Sequence, residues 1–138
     1  MKKIIYASLG LFLLQVSCTP NAAAPTVQPT IYKKWFNKET VVNGITEIYN
    51  GNEACGKDYI EFFDTNKIKT IDIDGCEEDE LMTGTFVINA NNITITEATD
   101  LKIFEIFELT DTVFSLKIIE DYDDDGDVDT IIERYTGN

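Results

Sequence analysis

The chain has 138 residues, with 25 acidic residues against 11 basic ones, no histidine and a net charge of −14. This length suits one domain with one hydrophobic core. The charge argues against binding of nucleic acid or of an anionic membrane surface, because phosphate contacts require clustered lysine and arginine side chains.

The first 17 residues have the layout of a secretory signal peptide. Lys2 and Lys3 precede a mostly apolar run over residues 4–16, and the small residue Ser17 stands before Cys18. The run is too short to span a bilayer comfortably. An ordinary signal or a buried amphipathic segment would give a similar pattern. Cleavage would remove both lysines and leave nine basic residues against 25 acidic ones, a net charge of −16.

Residues 14–18, Leu-Gln-Val-Ser-Cys, resemble the lipobox of bacterial lipoproteins. The resemblance implies that Cys18 becomes the acylated first residue and that its acyl chains hold the protein at a membrane. Residues 19–30 contain all three prolines and no charged side chain, so we expect residues 18–30 to be a flexible tether. In lipoproteins of this kind, an acidic run after the cysteine often accompanies export to the cell surface. No such run follows Cys18, so we expect the protein to face the periplasm from the outer membrane of the cell envelope.

Nine short segments rich in Ile, Val, Thr, Phe and Tyr predict β-strands in the domain expected over residues 31–138. Tight turn signals such as Asn43-Gly44 and Ala90-Asn91 separate them and predict hairpins. The predicted strands are residues 34–42, 45–49, 59–64, 67–73, 81–88, 92–96, 101–109, 113–120 and 130–135.

Consecutive hairpins of this number predict an all-β fold, an eight- (or nine-) stranded antiparallel up-and-down barrel, because closure removes exposed strand edges. One strand breaks the alternation of apolar and polar residues. Phe104 and Ile106 fall on one face of residues 101–109, whereas Ile103, Phe107 and Leu109 fall on the other. This strand therefore contains a bulge, or one apolar row lies outside the barrel.

After Cys18 only Cys55 and Cys76 remain, and two cysteines in an oxidising compartment most simply form one disulfide. The closed loop would stabilise the fold by about 3 kcal/mol in the chain-entropy model. Two cysteines without any histidine do not supply a closed zinc site of the usual kind.

Several motifs resemble the lipocalin-like lipoproteins common in Bacteroidetes. The matching features are Trp35, the Cys55 and Cys76 pair, Gly84-Thr85-Phe86, residues 91–95 and residues 109–116. The resemblance spans residues 31–136. It implies a lipocalin-like barrel outside the cytoplasm that holds a small hydrophobic ligand.

The interior of such a barrel is either filled by side chains or leaves room for one small ligand. Trp35 fits a packing residue that closes one barrel end, and ligand contact is the alternative. The same choice applies to the other aromatic side chains. The candidate ligand-binding residues are Trp35, Phe86, Phe104 and Phe114.

Residues 121–129, Asp-Tyr-Asp-Asp-Asp-Gly-Asp-Val-Asp, reproduce the front of a calcium-binding loop. Position twelve is Ile132 where an EF-hand has glutamate, and predicted strands flank the loop, so a regular EF-hand is excluded. A solvated acidic hairpin tip is the alternative. The candidate calcium ligands are the side chains of Asp121, Asp123, Asp125 and Asp129, with the backbone carbonyl of Asp127 as a further ligand. The second acidic run, residues 72–80, lacks this spacing and is expected to be a charged loop.

The sequence offers few groups for catalysis. It has no histidine to act as a base and no Gly-x-Ser-x-Gly nucleophile elbow, and a disulfide between Cys55 and Cys76 would leave no free thiol in the domain. We therefore expect a lipid-anchored binding protein and no enzyme. It would require no cofactor, although calcium is possible. The alternative is a module that docks its acidic rim, with or without calcium, onto a protein or glycan.

Overall fold

A computed structural model describes residues 30–138, and the predicted signal peptide, Cys18 and all of the tether except Thr30 lie outside them. The described chain is a single antiparallel sheet of nine strands and contains no helix. The strands are β1 (Lys34–Val42), β2 (Ile45–Ile48), β3 (Tyr59–Phe63), β4 (Lys67–Asp74), β5 (Glu77–Asn89), β6 (Asn92–Glu97), β7 (Asp100–Leu109), β8 (Val113–Glu120) and β9 (Asp129–Gly137).

Pairing between the first and last strands closes the sheet into a barrel. β1 pairs with β9 from Trp35↔Gly137 to Val42↔Ile131, with a bulge at Lys38. On its other edge β1 pairs with β3 through residues 34–36 and with β2 through residues 39–42. Eight strands, β1 and β3 to β9, thus form the ring, and β2 is an extra strand. This architecture confirms the predicted barrel.

The strands alternate in direction, so their connections fall at two ends. The turn at Asn43 and Gly44, where both residues have positive φ, lies at the same end as residues 75–76, 98–99 and 121–128. We call this the open end. The turns at residues 64–66, 90–91 and 110–112 lie at the other, closed end, together with Ile31, where the described chain starts.

Aromatic rings fill the closed end of the barrel. Trp35 is fully buried, and its indole Nε1 donates a hydrogen bond to the carbonyl of Ile31 at 2.8 Å. The Phe62 ring lies 4.9 Å from that of Phe86 and 5.5 Å from that of Phe114, both close to perpendicular. Edge-to-face contacts of this kind add to the stabilisation from apolar burial. We call the rings of Trp35, Phe62, Phe86 and Phe114 the aromatic layer.

A bulge explains the irregular apolar pattern of β7. The pairing with β8 shifts between Ile106↔Leu116 and Glu108↔Ser115, which leaves Phe107 as the extra residue. After the bulge, Leu109 packs against the core as Phe104 and Ile106 do. The other apolar side chains remain outside, with Ile103 64% exposed and Phe107 51% exposed. Both predicted explanations therefore hold.

The acidic run over residues 72–80 is not a loop, contrary to the expectation. Asp72 pairs with Asp79 and Asp74 pairs with Glu77, so β4 and β5 continue almost to the turn at Gly75 and Cys76. Both turn residues have positive φ. Strand propensity of the acidic residues is low, but ladder pairing with β4 and exposure of their side chains to solvent outweigh it.

Candidate ligand cup and acidic loop

A cavity of about 240 Å³ occupies the part of the barrel above the aromatic layer. We call this cavity the cup. The seven consecutive strands β3 to β9 supply its walls, and most of its lining is apolar. The lining residues are Ile60, Ile68, Thr70, Leu81, Met82, Ile95, Glu97, Asp100, Lys102, Phe104, Leu116 and Glu133.

Strand pairing explains how these side chains converge. Ile95 pairs with Lys102, and Leu116 pairs with Glu133, so each pair presents its side chains on the same face of the sheet. Ile68 belongs both to the buried core cluster and to the cup lining. The aromatic layer therefore lies directly below the cup and limits its depth.

The rim of the cup is charged. Glu97 and Asp100 flank the β6–β7 turn, and Lys102 follows two residues later. All three side chains are exposed to solvent. An apolar interior with charged groups at its mouth suits a ligand that has one apolar part and one polar part.

One carboxylate lies deeper in the cup. Glu133 Oε2 accepts a hydrogen bond of 2.6 Å from the Tyr135 hydroxyl. Burial of Tyr135, followed by the negative charge of Glu133, raises the pKa of the tyrosine well above its ordinary value. Tyr135 consequently remains a neutral hydrogen-bond donor that orients Glu133.

The four candidate aromatic residues differ in whether they line the cup. Phe104 lines the cup, as expected for a ligand contact. Trp35, Phe86 and Phe114 do not line it, because they are buried in the aromatic layer, with exposures of 0%, 3% and 0%. Their large apolar rings are used for packing, which is the first of the two roles that the sequence left open for them.

Most cup residues were missed by the sequence analysis. Met82, Thr70 and Lys102 have no distinctive motif around them. Glu133 did carry a signal, because it interrupts an alternating row formed with Ile131 and Tyr135, both of which are buried. A carboxylate within an inward row is uncommon, and Glu133 is therefore a candidate for binding a ligand.

The disulfide between Cys55 and Cys76 is formed, with Cα atoms 5.7 Å apart, as predicted. It ties the segment before β3 to the β4–β5 turn. Nearby, Asp58 accepts hydrogen bonds from the Tyr49 hydroxyl and from the backbone amide of Ile73. Burial, with Asp58 as the next cause, raises the pKa of Tyr49 to about 12.

The acidic loop, residues 121–129, brings three of its five candidate calcium ligands together. Carboxylate oxygens of Asp121, Asp123 and Asp129 lie within 4.8 Å of one another. The Asp125 carboxylate is not in this group and accepts a hydrogen bond from the backbone amide of Asp127, the residue whose carbonyl is the further predicted ligand. Three carboxylates fit part of the six to eight oxygens that calcium prefers, so calcium binding stays a prediction.

The closed eight-stranded barrel with an apolar cup defines a lipocalin-type fold. The sequence profile of the lipocalin-like domain family matches residues 31–116, and the chain belongs to this family. No protein of curated function matches the sequence.

Two solved structures share the fold. A lipocalin-like protein from Bacteroides uniformis superimposes with a TM-score of 0.51 at 12% identity, over 75% of this chain and 96% of that chain. An uncharacterized protein from Bacteroides eggerthii gives a TM-score of 0.52 at 13% identity, over 77% of this chain and 100% of that chain. At this level of identity the likeness concerns the fold.

Proposed function

We propose that the protein binds one small, mainly hydrophobic ligand in the cup. The observation that carries this proposal is the uneven filling of the barrel. Aromatic side chains occupy the closed end, whereas about 240 Å³ remains free between Ile60, Ile95 and Leu116. A preformed concave site with apolar walls and few polar groups is the usual form of a small-molecule site.

The volume of the cup restricts the ligand. Typical sites for drug-sized molecules measure roughly 300–1,000 Å³. At about 240 Å³ the cup suits a short alkyl chain or a single ring system. Long lipids would have to leave part of their chain outside the cup.

We further propose that the protein acts in the cell envelope, anchored through a lipid on Cys18 and facing the periplasm from the outer membrane. The lipobox-like sequence before Cys18 supports the anchor. Within residues 30–138 no helix is long and apolar enough to cross a membrane.

Calorimetric titration with straight-chain alcohols from butanol to decanol tests the binding proposal. We expect saturable binding with the best fit at an intermediate length, because the cup has a closed floor. Met82→Trp fills the cup and should abolish binding. Val87→Trp is the matched control, since it adds the same ring on the same strand at a side chain that is 60% exposed. Absence of binding to every alcohol at millimolar concentration would refute the proposal.

An interaction module is the second candidate, because acidic side chains gather at the open end. The acidic loop and the rim residues Glu97 and Asp100 lie there together. A basic protein or a glycan would be the partner. Native mass spectrometry of protein purified without denaturation separates the candidates. A retained small apolar molecule supports the carrier, whereas a bare barrel that captures a basic protein or glycan partner supports the module.

A further inference from the structure

The barrel wall is split between β7 and β8 near the open end. Pairing between these strands extends only from Glu105↔Lys117 to Leu109↔Phe114. Towards the open end, residues 100–104 of β7 pair with β6 alone, and residues 118–120 of β8 pair with β9 alone. The two strands therefore diverge along the upper part of the wall.

The resulting gap holds a hollow of about 450 Å³, which we call the slot. Its lining residues are Lys102, Ile103, Phe104, Ile118, Ile119, Glu120 and Glu133. Lys102, Phe104 and Glu133 also line the cup, so the two spaces share one boundary. The slot consequently gives solvent a lateral approach to the side of the cup where Glu133 lies.

Glu133 is the acidic group that lines both spaces. Within residues 30–138 it forms no ion pair, and its only side-chain hydrogen bond comes from Tyr135 through Oε2. Oε1 therefore remains available to a ligand. Tyr135 holds the carboxylate in place, so little conformational entropy would be lost when a ligand binds.

The charges around the shared boundary favour a cation. Four carboxylates line the cup and the slot, those of Glu97, Asp100, Glu120 and Glu133. Lys102 is the single basic side chain in either lining. Even if Lys102 neutralises one carboxylate, the remaining field attracts a positive group and repels an anion.

We propose that the ligand is a small amphiphilic amine, with its apolar part in the cup and its ammonium group on Glu133 beside the slot. This inference rests on the proposed function, since the cup must first accept an apolar chain. Water in the slot keeps the ammonium group partly hydrated, which limits the desolvation cost of an ion pair. A charge-assisted hydrogen bond to Glu133 then adds to the apolar contacts.

Titration of the full-length protein with octylamine, octanol and octanoate tests the inference, because these probes share one chain and differ in head-group charge. We expect octylamine at neutral pH to bind about tenfold more tightly than octanol, and octanoate to bind most weakly. Glu133→Gln should remove most of the preference for octylamine, because only the more distant carboxylates remain, and should leave the affinity for octanol unchanged. It retains an oxygen acceptor for Tyr135, so the fold should persist.

Glu105→Gln is the matched control. It removes the same charge at a side chain that pairs with Lys117 outside the cup, and it should preserve the preference for octylamine. Equal affinities of octylamine and octanol in the unaltered protein, or a preference that Glu133→Gln leaves undiminished, would overturn amine recognition while octanol binding upholds the cup. Failure of all three probes would overturn the proposed function as well.

Discussion

Replacement of Phe62 by alanine tests whether the aromatic layer both stabilises the barrel and limits the depth of the cup. Phe62 is 1% exposed and contacts the rings of Phe86 and Phe114. It also pairs with Ile68, which lines the cup. Loss of a buried phenylalanine side chain lowers the free energy of unfolding by about 3–5 kcal/mol.

The size of this loss within the range of about 3–5 kcal/mol depends on whether the space vacated by the Phe62 ring stays open. A residual cavity costs about 24 cal/mol per Å³, so the 2 kcal/mol between the two limits corresponds to about 80 Å³. This volume would be a sizeable addition to a cup of about 240 Å³. A loss near 5 kcal/mol should therefore be accompanied by binding of longer alcohols, and a loss near 3 kcal/mol should leave the preferred length unchanged.

Urea unfolding and the alcohol series measure the two effects on the same preparations. Phe107→Ala is the control, because it makes the same substitution at a side chain that is 51% exposed. It should change the free energy of unfolding by less than about 0.5 kcal/mol. A loss below about 1 kcal/mol for Phe62→Ala would show that the aromatic layer is not the core, and the reasoning would fail.

Three further predictions concern a glycine, a titrating group and the acidic loop. A Cβ at Gly84 would lie 2.4 Å from a backbone oxygen of β6, so Gly84→Ala should lower the free energy of unfolding by about 1–3 kcal/mol in urea. Burial of Asp72 and, next, the negative charge of Asp58 raise the pKa of Asp72 above its ordinary value of 3.8. Ionisation of Asp72 therefore opposes folding. The melting temperature of Asp72→Asn should exceed that of the unaltered protein at pH 7, and the difference should narrow as the pH falls through the raised pKa and vanish below 3.8. A difference that is constant with pH would contradict this assignment. Millimolar calcium should raise the melting temperature, and Asp121→Asn should abolish the rise whereas the exposed Asp64→Asn should not. No calcium effect in the unaltered protein would remove the metal prediction.

Strand positions followed closely from local patterns. β1 and β8 have the predicted bounds, because alternating residues and clear turn signals enclose both strands. The start of β5 was placed four residues late, since Glu77–Glu80 has little strand propensity by itself. Pairing with β4 determines that start, and a partner strand is not visible in a local window of sequence.

The candidate site was harder to predict than the fold. The sequence left open whether the four candidate aromatic residues pack or contact a ligand, and of these four only Phe104 lines the cup. Whether a large side chain packs or lines a cavity depends on its height along the barrel, which strand register and closure determine. The bulge at Phe107 shows the same dependence, since it brings Leu109 back to the core face.

The amino-acid sequence by itself determined the strand positions, the hairpin connections other than that from β2 to β3, the cysteine pair and the excess of negative charge. These properties depend on neighbouring residues or on composition, so they can be read along the chain. Only the tertiary structure decided that the barrel is half filled, that its wall is split beside Glu133, and that three aspartates of the acidic loop meet. Each of these arises from contacts between strands or loop residues whose relative placement depends on closure, and closure is a property of the whole sheet.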